Sequence, residues 1–250
     1  MMRILLANPN TTQAVTDTIA AAARAVAAPG TEIVPATARF GGRVIGTRTE
    51  MAIAEHASLD TLAREAGGCD AAIIGASIDS GLRAAREMLA IPVLGLTEAA
   101  LHVACLSGGR FGTVTLSRRS AYPLREIVDG YGLLARCGGM RAADATPHDL
   151  LAAPERVADL IVAEARVLIE QDMVDVIVLI GAVMAPVAAL VQPHLPVPVV
   201  EGVSCAVVLA EALVRLRLPK PHAGGYALLP RREVIGVDPA LAARFGGVSG

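Results

Sequence analysis

Four short clusters in this 250-residue chain could meet a ligand, and each follows an apolar run: Asn8–Thr11, Ala76–Asp79, Thr115–Ser117 and Gly181–Val183. Asn8 and Asn10 offer amides, while Thr11, Ser77, Ser80, Thr115 and Ser117 offer hydroxyls. The backbone N–H groups around Ser77, Ile78 and Asp79, and those of Ala182 and Val183, are expected to open helices. A helix start presents unpaired donors and the positive end of its dipole, which suits a small carboxylate or imide. A single Ser or Thr at such a place more often caps its own helix. The recurrence of these residues at matched places in both halves of the chain favours a ligand site.

Acid–base power is scarce in these clusters. Asp79 is the best ionisable candidate for catalysis, although an Asp at a helix start commonly serves the dipole. Glu98 and His102, spaced i, i+4, form either an acid–base pair or an ordinary helix-surface pair. Glu201 ends the last apolar run, as a substrate-facing or a structural acid. His56, His148, His194 and His222 have no evident partners in the sequence. Cys69, Cys105, Cys137 and Cys205 form no CxxC pair and no zinc-ligand spacing, so they are expected to be small buried hydrophobes or free thiols, with Cys137 in a Gly-rich turn. The one lysine, Lys220, lies in a Pro-flanked loop and no P-loop ending is present, so no metal and no cofactor are expected.

Composition narrows the partners. The formal net charge is −2, which gives no footprint for nucleic acid or an acidic membrane. Trp is absent and Tyr and Phe number three each, too few for a base-stacking platform. No apolar run reaches about 18 residues, and the N-terminus lacks a signal-peptide layout. The expectation is a cytosolic protein acting on a small molecule. Its many apolar helices point to a homo-oligomer.

The elements that must position the clusters occur twice. DAAIIGASIDSG followed by IPVLGLTEAALHVA is answered by DVIVLIGAVMAP followed by VPVVEGVSCAVVLA, an offset of about 105 residues (Asp70 to Asp175). In the first half, strands are expected at Ile4–Ala7, Glu32–Pro35, Asp70–Gly75 and Pro92–Leu96. Helices are expected at Gln13–Ala28, capped by Thr11 or Thr12, at Glu50–Ala66 and around Leu82–Leu89. The Gly- and Arg-rich stretch Ala38–Thr49 is a long loop of the kind that often forms a lid. In the second half, strands are expected at Phe111–Thr115, weakly at Gly139–Ala145, at Val176–Ile180 and at Val197–Val200. Helices are expected at Ala121–Tyr131, Pro154–Gln171 and Val203–Leu216. The tail beyond Pro219 should lie over the first half.

This βα repetition implies an α/β fold of two parallel-sheet lobes, 1–97 with 205–250 and 98–204, facing each other across a cleft. Ligands in such sheets sit beyond the carboxyl ends of the strands, where the four clusters fall.

The segments ILLANPNTT, RVIGTRTE, DAAIIGASIDSGL, PVLGLTEAALHVA, RFGTVTLS, DVIVLIGAVMA and PVVEGVSCAVVLAEALV resemble the aspartate/glutamate/hydantoin racemase superfamily, in its hydantoin and allantoin racemase branch. The resemblance runs to about Tyr226. It implies two pseudo-symmetric Rossmann-like lobes and paired cysteines, one removing a Cα proton and the other returning it on the opposite face. A thiol near a helix N-terminus suits both tasks. This chain departs from that pattern: Ala76 and Gly181 stand at the two cysteine positions, and neither transfers a proton. The resemblance therefore implies a racemase-like isomerase acting at the Cα of a small carbonyl or carboxylate compound, without the two-thiol mechanism. The alternatives are a decarboxylase or lyase on a malonate- or ureide-type substrate, using Ser77 and Ser117 in the same anion pocket, and a non-catalytic binder.

Overall fold

Each half of the chain builds one four-stranded sheet in which every pairing is parallel. The computed structural model of the chain describes residues 1–246, apart from the Leu151 side chain. The first sheet holds β1 (Met2–Asn8), β2 (Thr31–Thr37), β3 (Ala71–Ile74) and β4 (Val93–Gly95), ordered β2-β1-β3-β4. The second holds β5 (Phe111–Thr115), β6 (Cys137–Ala142), β7 (Val176–Ile180) and β8 (Val199–Glu201), ordered β6-β5-β7-β8. The two orders are the same once the second sheet is counted from its own first strand, so the sequence duplication is a duplication of topology. Strands β3 and β7 are buried along their whole length. Their unbroken apolar runs reflect helices on both faces of each sheet.

The helices of the first half are α1 (Gln13–Val26), α2 (Arg48–Glu65), α3 (Leu82–Met88) and α4 (Leu96–Ser107). The second half contributes α5 (Arg118–Gly130), α6 (Pro147–Ala152), α7 (Pro154–Gln171), α8 (Ala185–Val191) and α9 (Gly202–Leu216), and the tail adds α10 (Pro239–Gly246). Strands β5 and β7 and helix α7 match their expected limits. Helix α2 starts two residues before its expected start because Thr47 and Glu50 form a reciprocal capping box. Helices α6, α8 and α10 were not expected; at six to eight residues they are too short to show a helical period. Cys137 opens β6 rather than lying in a turn. Thr12 is the N-cap residue of α1, but its hydroxyl donates to the Arg43 carbonyl (2.8 Å) instead of accepting from the helix.

Helices α4 and α9 lie between the sheets and belong to both cores. One apolar cluster runs from Ile4 and Ile73 through Leu101 and Val207 to Val176 and Val178. The proposed lobe limits, 97/98 and 204/205, fall in the first turns of these two shared helices. Residues 247–250 of the first-lobe span lie outside the described residues. The tail packs on the first lobe as expected: Leu241 joins the cluster around Leu62, and Arg244 donates to the Ala63 carbonyl (2.9 Å).

The starts of α4 and α9 meet so closely that Gly202 has no room for a side chain. A Cβ there would lie 2.6 Å from the Leu96 Cβ and 2.7 Å from the Leu96 carbonyl oxygen. Gly202→Ala is therefore expected to lower stability by about 1–3 kcal/mol in urea unfolding, the usual cost of overpacking a core; an unchanged midpoint would contradict this account of the lobe junction.

Candidate active site

The carboxyl ends of β1, β3, β5 and β7 converge on one cavity of about 260 Å³ between the lobes. Its first wall carries Asn10 and the turn Gly75–Ile78, and its second carries Thr115–Ser117, Ser120 and Ile180–Val183. Ala76 and Gly181, the paired turn positions, both line it. Of the sequence candidates, Asn10, Ser77, Ile78, Thr115, Ser117, Ala182 and Val183 reach the cavity.

Four candidates do not: Asn8, Thr11, Asp79 and Ser80. Asn8 is fully buried beneath the site. Its side-chain amide donates to the Asn10 and Thr16 side chains (3.0 Å each), and its carbonyl accepts from the Asn10 N–H (3.1 Å). It orients Asn10 rather than a ligand. Asp79 faces away from the cavity. Its carboxylate accepts from the backbone N–H groups of Thr97 (3.0 Å) and Glu98 (2.8 Å) and from the Tyr131 hydroxyl (2.6 Å). It thus caps α4 rather than the helix of its own turn, and it carries no proton to or from the cleft. The chain bends to allow this: Asp79 adopts φ 48°, a left-handed conformation that Asp tolerates better than most residues. Gly95 makes the space, since a Cβ there would lie 2.2 Å from the Asp79 Cγ.

The other acid–base candidates are also engaged elsewhere. Glu98 pairs with Arg86 (2.9 Å), and His102 Nδ1 lies 2.7 Å from the Glu98 carbonyl, so the two do not form an acid–base pair. Glu201 caps α9 by accepting from Val203 and Ser204 N–H (2.6 and 2.7 Å). None of the four cysteines lines the cavity. Burial pushes the Cys205 thiol up to about 12 and raises Cys69 and Cys137 as well, so these sulfurs are held protonated.

Only the second of the two turns is a helix start: its 3-10 turn runs directly into α8. Residues 76–81 form an irregular turn before α3, and Ala182–Met184 form a single 3-10 turn before α8. Asp79 N–H returns to the Ala76 carbonyl (3.2 Å) and Met184 N–H to the Gly181 carbonyl (3.0 Å). Among the described residues, the N–H groups of Ser77, Ile78, Ala182 and Val183 donate to no protein acceptor. Each wall therefore offers two free backbone donors at a cavity, the arrangement that binds anions and developing oxyanions.

The sequence reading missed three parts of the lining. Val15 enters from α1, Thr146 and Pro147 enter at the start of α6, and Arg43–Gly46 come from the long loop. The weak strand β6 concealed the second of these, although Thr146-Pro147 with Asp149 carries the signature of a capping box and a first-turn proline, and that box is formed. The long loop was expected as a lid, but not which of its residues face the cavity. It is fastened at both ends: Thr11 N–H donates to the Gly42 carbonyl (3.1 Å), and the Glu50 carboxylate accepts from Gly46 and Thr47 N–H (2.9 and 2.8 Å). These hydrogen bonds, led by that of Gly46, hold the Glu50 carboxyl below its ordinary range. Arg43 is the one ionisable side chain in the lining among the described residues.

Two parallel-sheet lobes of the same strand order thus close on one donor-lined cavity in an α/β fold. The sequence model of the Asp/Glu/hydantoin racemase family matches residues 4–210. Hydantoin racemase of Pseudomonas sp. strain NS671 is 31% identical over 236 residues, covering 94% of this chain and 95% of that protein. The structure of allantoin racemase from Klebsiella pneumoniae superposes with a TM-score of 0.91 at 35% identity, covering 96% of this chain and 99% of that one. Allantoin racemase from Pseudomonas fluorescens gives 0.91 at 36% identity, covering 94% and 100%. The chain belongs to the Asp/Glu/hydantoin racemase family. It is a racemase-like enzyme of the hydantoin and allantoin branch.

Burial raises the Asp79 carboxyl from its ordinary value to about 6, against the opposing effect of its three donors. A carboxyl raised in the folded state favours the protonated form, so its stabilising contribution is full below about pH 4 and is lost as pH rises through 6. The stability difference between the native protein and Asp79→Asn should therefore move against the native protein between pH 4 and 7, by up to about 3 kcal/mol. Urea unfolding at a series of pH values measures it, and a pH-independent difference would refute the buried-charge account.

Proposed function

We propose that the cleft binds a small cyclic ureide, or a related carbonyl or carboxylate compound, and acts at the carbon next to its carbonyl group as a racemase-like isomerase. The observation that carries this reading is the pair of free backbone donors on each wall. Removing a proton from that carbon moves negative charge onto the neighbouring carbonyl oxygen. Preorganised N–H donors stabilise such charge, each contributing on the order of 10²–10³ in rate. Ser77, Thr115 and Ser117 add hydroxyls that can orient the polar edge of the ring.

The proton itself has no side-chain carrier in the lining. Arg43 brings a guanidinium, a hydrogen-bond donor with no acceptor site. We infer that water or hydroxide in the cleft takes the proton on one face and returns one on the other, with the small residues Ala76 and Gly181 leaving both faces open. A positioned general base is typically worth 10²–10⁴ in rate, so turnover is slow for a racemase yet faster than that of the free ureide. The lack of a side-chain proton donor counts equally against a decarboxylase, whose carbanion must also be quenched.

Exchange of the ring Cα–H of 5-isopropylhydantoin and of allantoin in deuterium oxide, followed by NMR, tests the reading. The native protein is expected to exceed the protein-free rate, and Ala76→Cys is expected to raise it further. Gly181→Cys is a harder change: Gly181 has φ 156°, and a Cβ there would lie 2.6 Å from Met184 Cγ, so that side chain must swing aside. If ligand binds but exchange appears only in the double cysteine variant, the protein is a binder on a racemase scaffold. Release of CO2 from a substituted malonate would instead make it a lyase.

We also propose a cytosolic homo-oligomer. Among the described residues no helix is long and apolar enough to cross a membrane. Exposed Leu106 on α4 and Leu216 on α9 support self-association.

A further inference from the structure

The turn that carries Ser77 and Ile78 is held from behind by groups outside the cavity. Thr97 Oγ1 at the start of α4 donates to the Ser77 carbonyl, while Thr97 and Glu98 N–H donate back to the Asp79 carboxylate. The turn and the α4 N-terminus thus fix one another. The third donor to Asp79 comes from the other lobe. Tyr131 follows α5, and the opposite end of α5 begins beside Ser117 and Ser120 on the second wall of the cavity. Helix α5, about 20 Å long from its residue count and 1.5 Å per residue and carrying Pro123 in its second turn, therefore has a cavity wall at one end and the Asp79 bond at the other.

Two weaker ties run alongside. Arg83 donates to the Gly130 carbonyl (2.6 Å), and Arg48 pairs with Glu126 at the surface. Between these ties lies a crevice of about 440 Å³, lined by Asp79, Ser80 and Arg83 on the first lobe and by Glu126, Ile127 and Tyr131 on the second. The lobes are thus not packed solid behind the turn, and the part-buried Asp79–Tyr131 bond bridges them there beside these two ties. Tyr131 is also packed against the cores of both lobes.

We propose that Asp79 and Tyr131 are positioning residues that latch the two cavity walls together: the bond sets the turn bearing the Ser77 and Ile78 donors and, through α5, the placement of Ser117 opposite them. The inference rests on the cleft being the ligand site. The latch itself is readable without a ligand.

Tyr131→Phe removes the bond and leaves the ring. Hydrogen–deuterium exchange on the full chain should then quicken at 76–82 and at 96–98, with protection in β5 and β7 unchanged. Loss of one hydrogen bond to a charged group should weaken 5-isopropylhydantoin binding about tenfold by calorimetry, and lower the melting temperature by a few degrees while both sheets stay folded. Asp79→Asn should weaken binding similarly, and the double variant should be little worse than either single one. Unchanged exchange at 76–82, loss of protection throughout both sheets, or additive effects on affinity would each overturn the latch. If the native protein binds no hydantoin, the functional reading falls, and the exchange pattern still decides the latch.

Discussion

One buried carboxylate organises the region around the cleft. Asp79 is taken out of water at a position where its charge is costly, and three donors from two lobes offset part of that cost. Several local features follow from it: the left-handed backbone at residue 79, the glycine at 95, the capped start of α4 and the fixed path of Ser77–Ile78. A charge serving as the meeting point of a turn, a helix and a neighbouring lobe explains why the most conspicuous acid among the candidates does no acid–base work in the cavity.

With that turn fixed, the cleft becomes a site of donors and not of bases. Backbone N–H groups are rigid, stay polar whatever side chain is present, and cannot be lost by substitution of Ala76 or Gly181. A scaffold built this way presents donors to the cavity without a side-chain base beside them. The near-twofold arrangement puts such donors on both walls, while Val44 and Ile45 of the long loop and Pro147 add apolar groups to the lining.

Much of the fold was legible because its signals are repetitive. The unbroken apolar runs at Ala71–Ile74 and Val176–Ile180 could only be buried parallel strands once helices flanked them. The duplication of DAAIIGASIDSG in DVIVLIGAVMAP placed the two turns face to face. What stayed hidden depended on side-chain direction. Asn8 and Asn10 sit two residues apart at one strand end, yet one turns inward beneath the other. Nothing in GASIDSG announces that Asp79 reaches forward to a helix start 18 residues on, because long-range caps leave no local spacing. Both turns look like helix starts in sequence, but residues 76–81 run through an irregular bend first, while Ala182 opens a 3-10 turn that leads straight into α8. Short α6 left its cavity residues, Thr146 and Pro147, unrecognised.

The central claim is that the four free backbone donors of the two turns hold the ligand. A crystal structure of the protein with 5-isopropylhydantoin measures this directly. The account predicts the ring between Ala76 and Gly181, with carbonyl oxygens about 3 Å from N–H groups of Ser77 or Ile78 on one wall and of Ala182 or Val183 on the other. A ring seated elsewhere, or one held by side chains with those N–H groups still unpaired, would contradict it.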